Sequence, residues 1–135
     1  MHGDLNPSNI LRPRQADVPV YFVDRQPFDH SFLVWTGASD LAYMMVLWWP
    51  TQLRRELGQL ILMQYHDDLR ARGVRGYAWE DLERDYALGA AQAIYTAAGW
   101  CATESDPQPM RWVWGRHARR VLAAAAAHDV LSLLS

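Results

Sequence analysis

The chain contains no lysine; all thirteen of its basic residues are arginine. Schiff-base chemistry and a phosphate-loop lysine are therefore excluded. A single cysteine, Cys101, rules out an intrachain disulfide and reads as a small buried hydrophobe, which points to a reducing, cytoplasmic setting. The longest apolar stretch, Leu41 to Trp49, is too short to span a bilayer, so no membrane partner is expected. The opening residues read as a loop rather than a secretory leader. Charge of one sign is not in excess: the formal net charge is −2, whereas a nucleic-acid binder is usually basic. There is no internal repeat and no low-complexity linker. What is present is a chain of 135 residues, half of them hydrophobic, enough for one domain with a real core.

The informative stretch is His2-Gly3-Asp4-Leu5-Asn6-Pro7-Ser8-Asn9, followed by Tyr21-Phe22-Val23-Asp24. Asp4, Asn9 and Asp24 stand in the order H-x-D-x4-N and then an Asp that closes an apolar run. Phosphoryl transfer needs these residue types: a carboxylate near the attacking hydroxyl, and oxygen ligands for a hard cation. Pro7 and Ser8 suit a tight loop that aims Asp4 and Asn9 into one cleft. Asn9–Arg12 and Val18–Val23 read as two short strands around a polar turn, a hairpin carrying Asn9 at its entrance and Asp24 at its exit. Taken alone, Asp24 also reads as an ordinary loop Asp ending a strand.

The order of these residues is similar to the kinase signature. His-Gly-Asp, with Val23-Asp24-Arg25-Gln26 in the later position, resembles the aminoglycoside phosphotransferase and choline kinase superfamily. Asp24-x-Gln26 and Ser39-Asp40-Leu41-Ala42-Tyr43 are similar to its ecdysteroid-kinase-like branch. Tyr65-His66-Asp67-Asp68-Leu69 and Gly76-Tyr77-Ala78-Trp79-Glu80-Asp81-Leu82 look like the C-terminal helices of that group, so the resemblance runs from about Met1 to Trp100. It implies that Asp4 is the catalytic base, that Asn9 and Asp24 hold Mg2+, and that ATP is the co-substrate. It further implies that His2 is a catalytic-loop scaffold residue and that Asp40 supports that loop. Gln26 is either a support for the metal site or an exposed polar residue. The Gly-rich loop and strand lysine of such kinases belong to an N-terminal lobe that this chain is expected to lack. The chain then reads as the C-terminal lobe alone, either a fragment or a stand-alone protein.

The fold class expected is mainly α with a small β-hairpin, as a single domain over residues 1–135. The catalytic loop and hairpin occupy 1–24 and a helical subdomain occupies 39–135. Residues 25–38 read as an irregular stretch in which Asp29, His30 and Trp35 are weak substrate-binding candidates; an unperturbed imidazole such as that of His30 titrates near neutrality. A first helix is expected from Ser39 or Asp40 to Trp49, apolar all round and central, with Asp40 as its cap or as a tether to the catalytic loop. A second is expected over 51–72, with Leu53, Leu57, Leu60, Ile61, Tyr65 and Leu69 on its buried face. A third starts near Trp79 and buries Leu82, Tyr86, Ala90, Ala93, Ile94 and Ala97, its acidic first turn complementing the helix dipole. A last helix runs from about Met110 toward His128, with Val113, Trp114, His117, Val121 and Leu122 inward and Arg116, Arg119 and Arg120 on a solvated face. Most of the seven tryptophans should be core, with Trp35 or Trp79 as candidates to line a pocket.

The reaction expected is ATP-dependent phosphorylation of a small-molecule hydroxyl acceptor. Two other classes fit the same residues. One is a non-catalytic interaction fragment that self-associates through the surface meant for the missing lobe. The other, ranked last for want of further His ligands at metal spacing, is metal-dependent phosphoester hydrolysis using His2, Asp4 and Asp24.

Overall fold

A computed structural model describes residues 1–24, 35–103, 111–130 and 132; within these, the side chains of 101, 103 and 111–114 are not described. The fold is mainly helical with one small antiparallel sheet. A 3-10 turn at Pro7–Asn9 leads into β1 (Ile10–Leu11), which pairs with β2 (Tyr21–Phe22). Then come α1 (Gly37–Ala42), a π-helical segment (Tyr43–Trp48), α2 (Thr51–Ala71), α3 (Trp79–Thr103) and α4 (Arg111–Ala127). The strands are shorter than the sequence suggests. Ile10 pairs with Phe22 and Leu11 with Tyr21, and one further bond, Val23 N–H to the Asn9 carbonyl at 2.9 Å, extends the ladder toward the opening loop.

The first helix starts earlier than expected, because Thr36 and not Asp40 caps it. The Thr36 hydroxyl accepts from the Ala38 N–H, satisfying one of the donors that a helix start leaves free. Asp40 falls inside the first turn and is released for another partner. From Tyr43 the helix widens into π geometry and ends at Trp49, ahead of Pro50. Its all-apolar sequence does place it at the centre: Ala42, Met45, Val46 and Leu47 are fully buried. The three larger side chains, Met45, Val46 and Leu47, each contribute roughly 1.5–3 kcal/mol. Helix α3 packs against both α1 and α4. Leu82, Tyr86, Ala90, Ala93 and Ala97 form its buried stripe, at the spacing read from the sequence. Where α3 crosses α1, a Cβ at Gly89 would stand 2.7 Å from the Ala42 Cβ, so only glycine fits.

Two helix faces differ from expectation. On α2 the buried row is Arg54, Gly58 and Leu62, one turn apart, while Leu57 and Leu60 are exposed. On α4, His117, Val121 and Ala124 are buried and Leu122 is exposed; the side chains of Val113 and Trp114 lie outside the described residues. Arg120 is also not a solvated residue. It donates to the Leu47 and Trp48 carbonyls at 2.8 and 3.0 Å, and His117 Nδ1 lies 2.7 Å from the Leu47 carbonyl. The reason is the helix end at Trp49. Its last carbonyls have no partner within the helix, and α4 supplies donors for them. Helix α2 stops in a Schellman motif: Gly73, at φ 89°, turns the chain so that Val74 N–H reaches the Leu69 carbonyl and Gly73 N–H that of Arg70.

Candidate functional site

The opening loop is tied to the helical core by one carboxylate. Asp40 accepts the backbone N–H of Gly3 at 2.9 Å through Oδ1 and that of His2 through Oδ2. Both amides can face Asp40 because Gly3 takes a left-handed conformation, φ 91°, that a side chain would oppose. The buried Asp40 is thereby satisfied at both oxygens. His2 closes the loop on its other side. Its Nε2 lies 3.0 Å from the Val23 carbonyl and its Nδ1 is 3.3 Å from the Asp4 N–H. A carbonyl at one nitrogen and a donor at the other assign the neutral tautomer with the proton on Nε2. His2 thus links the opening loop to the end of β2 and has no nitrogen left for base chemistry.

Asp4 sits in a cage of donors. Tyr43 Oη donates to Oδ1 at 2.9 Å, and the amide nitrogens of Asn6 and Asn9 each donate to Oδ2 at 3.1 Å. Asn9 Nδ2 also donates to the Asp4 carbonyl at 2.9 Å, and Asn9 is buried. Asn6 in turn caps the 3-10 turn by accepting the Ser8 N–H at 2.9 Å. Tyr43 is the first residue of the π-helical segment, so the widened turn sets its phenol against Asp4. Such local departures from α geometry are frequent at functional sites. Burial, and then the charge of Asp4, push the Tyr43 phenol well above its ordinary value, which keeps it a proton donor.

These contacts define what each group has left to offer. An ionised carboxylate has about four lone-pair sites, and three are taken. The open one belongs to Asp4 Oδ1. Asn9 spends its amide nitrogen on Asp4, which directs its carbonyl oxygen away from that carboxylate. The hairpin register brings Asp24 close to this loop in another way: Val23 is bonded to Asn9, and Asp24 is the next residue. Asp24 is solvent-exposed and held at φ 61°, a conformation that costs an L-residue roughly 1–2 kcal/mol and that Asp tolerates better than most. Among the described residues, no group of three or more His, Cys, Asp or Glu side chains is placed to hold a metal ion. By residue type, the oxygens left to offer a cation are the Asn9 amide oxygen and the Asp24 carboxylate, beside the Asp4 carboxylate already held by three donors. Mg2+ is commonly bound by one or two carboxylates together with substrate phosphates and water, and these residue types suit it better than Zn2+, which needs more protein ligands.

The other sequence candidates divide. Gln26, Asp29 and His30 lie outside the described residues. Trp35 is 63 % exposed, immediately before the Thr36 cap. Trp79 lines a cavity whose lining includes no residue of the opening loop, described below. Sequence reasoning missed Tyr43 as a partner of Asp4; a lone tyrosine within an apolar helix, three residues after Asp40, was the available signal. Comparison of the chain with protein-family models, with curated proteins and with solved structures finds no match. Among the described residues, no helix is long and apolar enough to cross a membrane.

Proposed function

We propose that this chain is the C-terminal, catalytic lobe of a protein-kinase-like phosphotransferase that moves a phosphoryl group from ATP to a hydroxyl of a small molecule. The observation that carries the reading is the Asp4–Asn9 pair. One amide nitrogen grips both the backbone carbonyl and the carboxylate of the proposed base. That arrangement fixes Asp4 and turns the Asn9 oxygen outward as a ligand. In this reading the acceptor hydroxyl docks on the open lone pair of Asp4 Oδ1, and its proton passes to that oxygen as the hydroxyl oxygen bonds to the γ-phosphorus of ATP and the bond from that phosphorus to the bridging oxygen breaks, releasing ADP. Asn9 and Asp24 are the residues that would hold Mg2+. When bound, the ion neutralises charge on the phosphate oxygens. Tyr43, Asn6 and Asn9 hold the Asp4 carboxylate in place, and positioning of this kind supplies much of the rate in such reactions. Asp40 and His2 keep the loop in shape without touching the reacting atoms.

The direct test is phosphoryl transfer from ATP by the full-length gene product that contains this chain, against a panel of aminoglycosides, choline and sugars. Asp4→Asn should lower the turnover of the best acceptor by about 10²–10⁴-fold with little change in acceptor KM. Near-wild-type turnover in that variant would overturn the role of Asp4.

A specific observation favours a second reading, a non-catalytic interaction module. Leu11, Val20, Tyr21 and Phe22 of the hairpin and its turn are exposed. A two-stranded ribbon is marginal by itself, and an apolar one invites a partner. In the first reading this surface receives the nucleotide lobe; in the second it serves self-association. Light scattering separates them: a concentration-dependent dimer abolished by Phe22→Ser, in a protein that transfers no phosphate, supports the second.

A further inference from the structure

Arg54 is a buried cation that forms no ion pair among the described residues. It lies on the inward face of α2 and is only 6 % exposed. Its Nη1 makes one long contact, 3.5 Å to His128 Nε2, the Tyr86 phenol lies near enough to feel its charge, and its Nη2 is buried with no hydrogen-bond partner. The ion pair seen among the described residues is Arg84 with Asp81, on the surface of α3. A guanidinium in this position is costly unless paired, and a native structure rarely leaves such a group idle. The space beside it is real. A cavity of about 280 Å³ opens between α2, α3 and the end of α4, lined by Arg54, Arg55, Trp79, Glu83, Tyr86 and His128 among others.

The lining describes a ligand. Arg54 and Arg55 oppose one carboxylate, Glu83, so the excess is a single positive charge. Glu83 forms no ion pair with Arg54, although both line the cavity. His128 adds no cation: burial first, then the charge of Arg54, lowers its pKa, and as a neutral ring its Nε2 accepts from Arg54. Tyr86 stacks edge-on against His128 with ring centroids 5.1 Å apart, and Trp79 completes an aromatic wall. The volume lies at the small end of the range for organic ligands. We propose that this cavity is a binding site for a small organic monocarboxylate, its apolar body against Trp79 and its carboxylate received by the Arg54 guanidinium, whose Nη2 has no accessible surface and turns toward the cavity to take it. The planar guanidinium matches the planar carboxylate. The rim carboxylate of Glu83 disfavours a doubly charged phosphate. The site is separate from the Asp4 loop, and nothing in its chemistry depends on phosphoryl transfer.

Benzoate is the probe. Titrated into the whole chain and followed by nuclear magnetic resonance, it should give saturable shifts of the Trp79 indole N–H and the Arg54 Nε–H signals. Arg54→Met should weaken its affinity by about tenfold or more, whereas Glu83→Gln should strengthen it several-fold by removing the like charge. The second variant leaves the core untouched, so the proposal remains exposed if the first fails to fold. Absence of shifts at Trp79 and Arg54 in millimolar benzoate, or unchanged affinity in Arg54→Met, overturns the proposal. So does inorganic phosphate that saturates the same signals more tightly than benzoate.

Discussion

Asp40 and Arg54 are both buried charges on helices that pack into one core, yet they are treated in opposite ways. Asp40 spends both oxygens on backbone amides of the opening loop. Arg54 has a terminal nitrogen with no partner and a cavity at its side. The packing around them differs in the same sense. Near Asp40, a Cβ on Gly89 would come within 3.1 Å of the Ser39 Cα and 2.7 Å of the Ala42 Cβ. Near Arg54, a Cβ on Gly58 would meet nothing closer than the Arg54 Cγ at 3.7 Å. A charge consumed by its own chain is scaffolding; the Arg54 charge, which its own chain does not neutralise in an ion pair, is the one the proposed carboxylate would answer.

That contrast can be broken by removing each charge. Asp40→Ala strips two backbone donors of a charged acceptor and should lower unfolding stability by about 3 kcal/mol in urea denaturation. Arg54→Met should cost less than about 1 kcal/mol, since replacing a buried unpaired charge by an apolar side chain of similar length is near neutral or stabilising. Equal losses at the two sites would erase the distinction.

The two glycines sharpen it at smaller scale. Gly89→Ala forces helices α1 and α3 apart and should destabilise by about 1–3 kcal/mol. Gly58→Ala meets ordinary van der Waals distances within a helix and should stabilise by about 0.5–1 kcal/mol. Thermal unfolding of the two variants, side by side, reads both signs.

Acid gives the mildest test. His117, 2 % exposed and against the Leu47 carbonyl, and His128, beside Arg54, both have pKa values lowered chiefly by burial. In the unfolded chain these rings take up protons near the ordinary value of 6.5. In the folded chain they resist until the pH is lower. Their contribution is therefore complete above about pH 6.5 and is lost as pH falls below it toward the folded values. The melting temperature should decline over that interval. His117→Gln should flatten the decline, and an unchanged slope would show that this ring carries none of it.

Much of the architecture was legible because the chain states it twice, in periodicity and in punctuation. Helix α3 repeats its apolar residues at helical spacing, and Gly73 and Pro50 mark breaks at α2's C-terminal end and after the central helix. In the opening loop the meeting of Asp4 and Asn9 was legible, because Pro7 and Ser8 mark a tight turn in the short gap between them. What escaped was phase and local geometry. On α2, leucines at 53, 57 and 60 outvote the row Arg54, Gly58 and Leu62, because an arginine counts as polar in any periodicity argument. Mid-helix Gly58, four residues from each neighbour in that row, was the only hint. The π-helical widening at Tyr43 has no compositional mark. The inward turn of Arg120 depends on carbonyls left free some seventy residues earlier, a long-range need that local reading of α4 does not reveal.

The account stands or falls on whether the Asn9 oxygen and the Asp24 carboxylate share one cation. Mn2+ with ATP, added to the isotope-labelled protein, reports this through paramagnetic broadening of backbone amide signals. The account predicts that broadening centres on Asn9, Val23 and Asp24 and disappears in Asp24→Asn. Broadening that ignores those residues, or that survives unchanged in the variant, would contradict it.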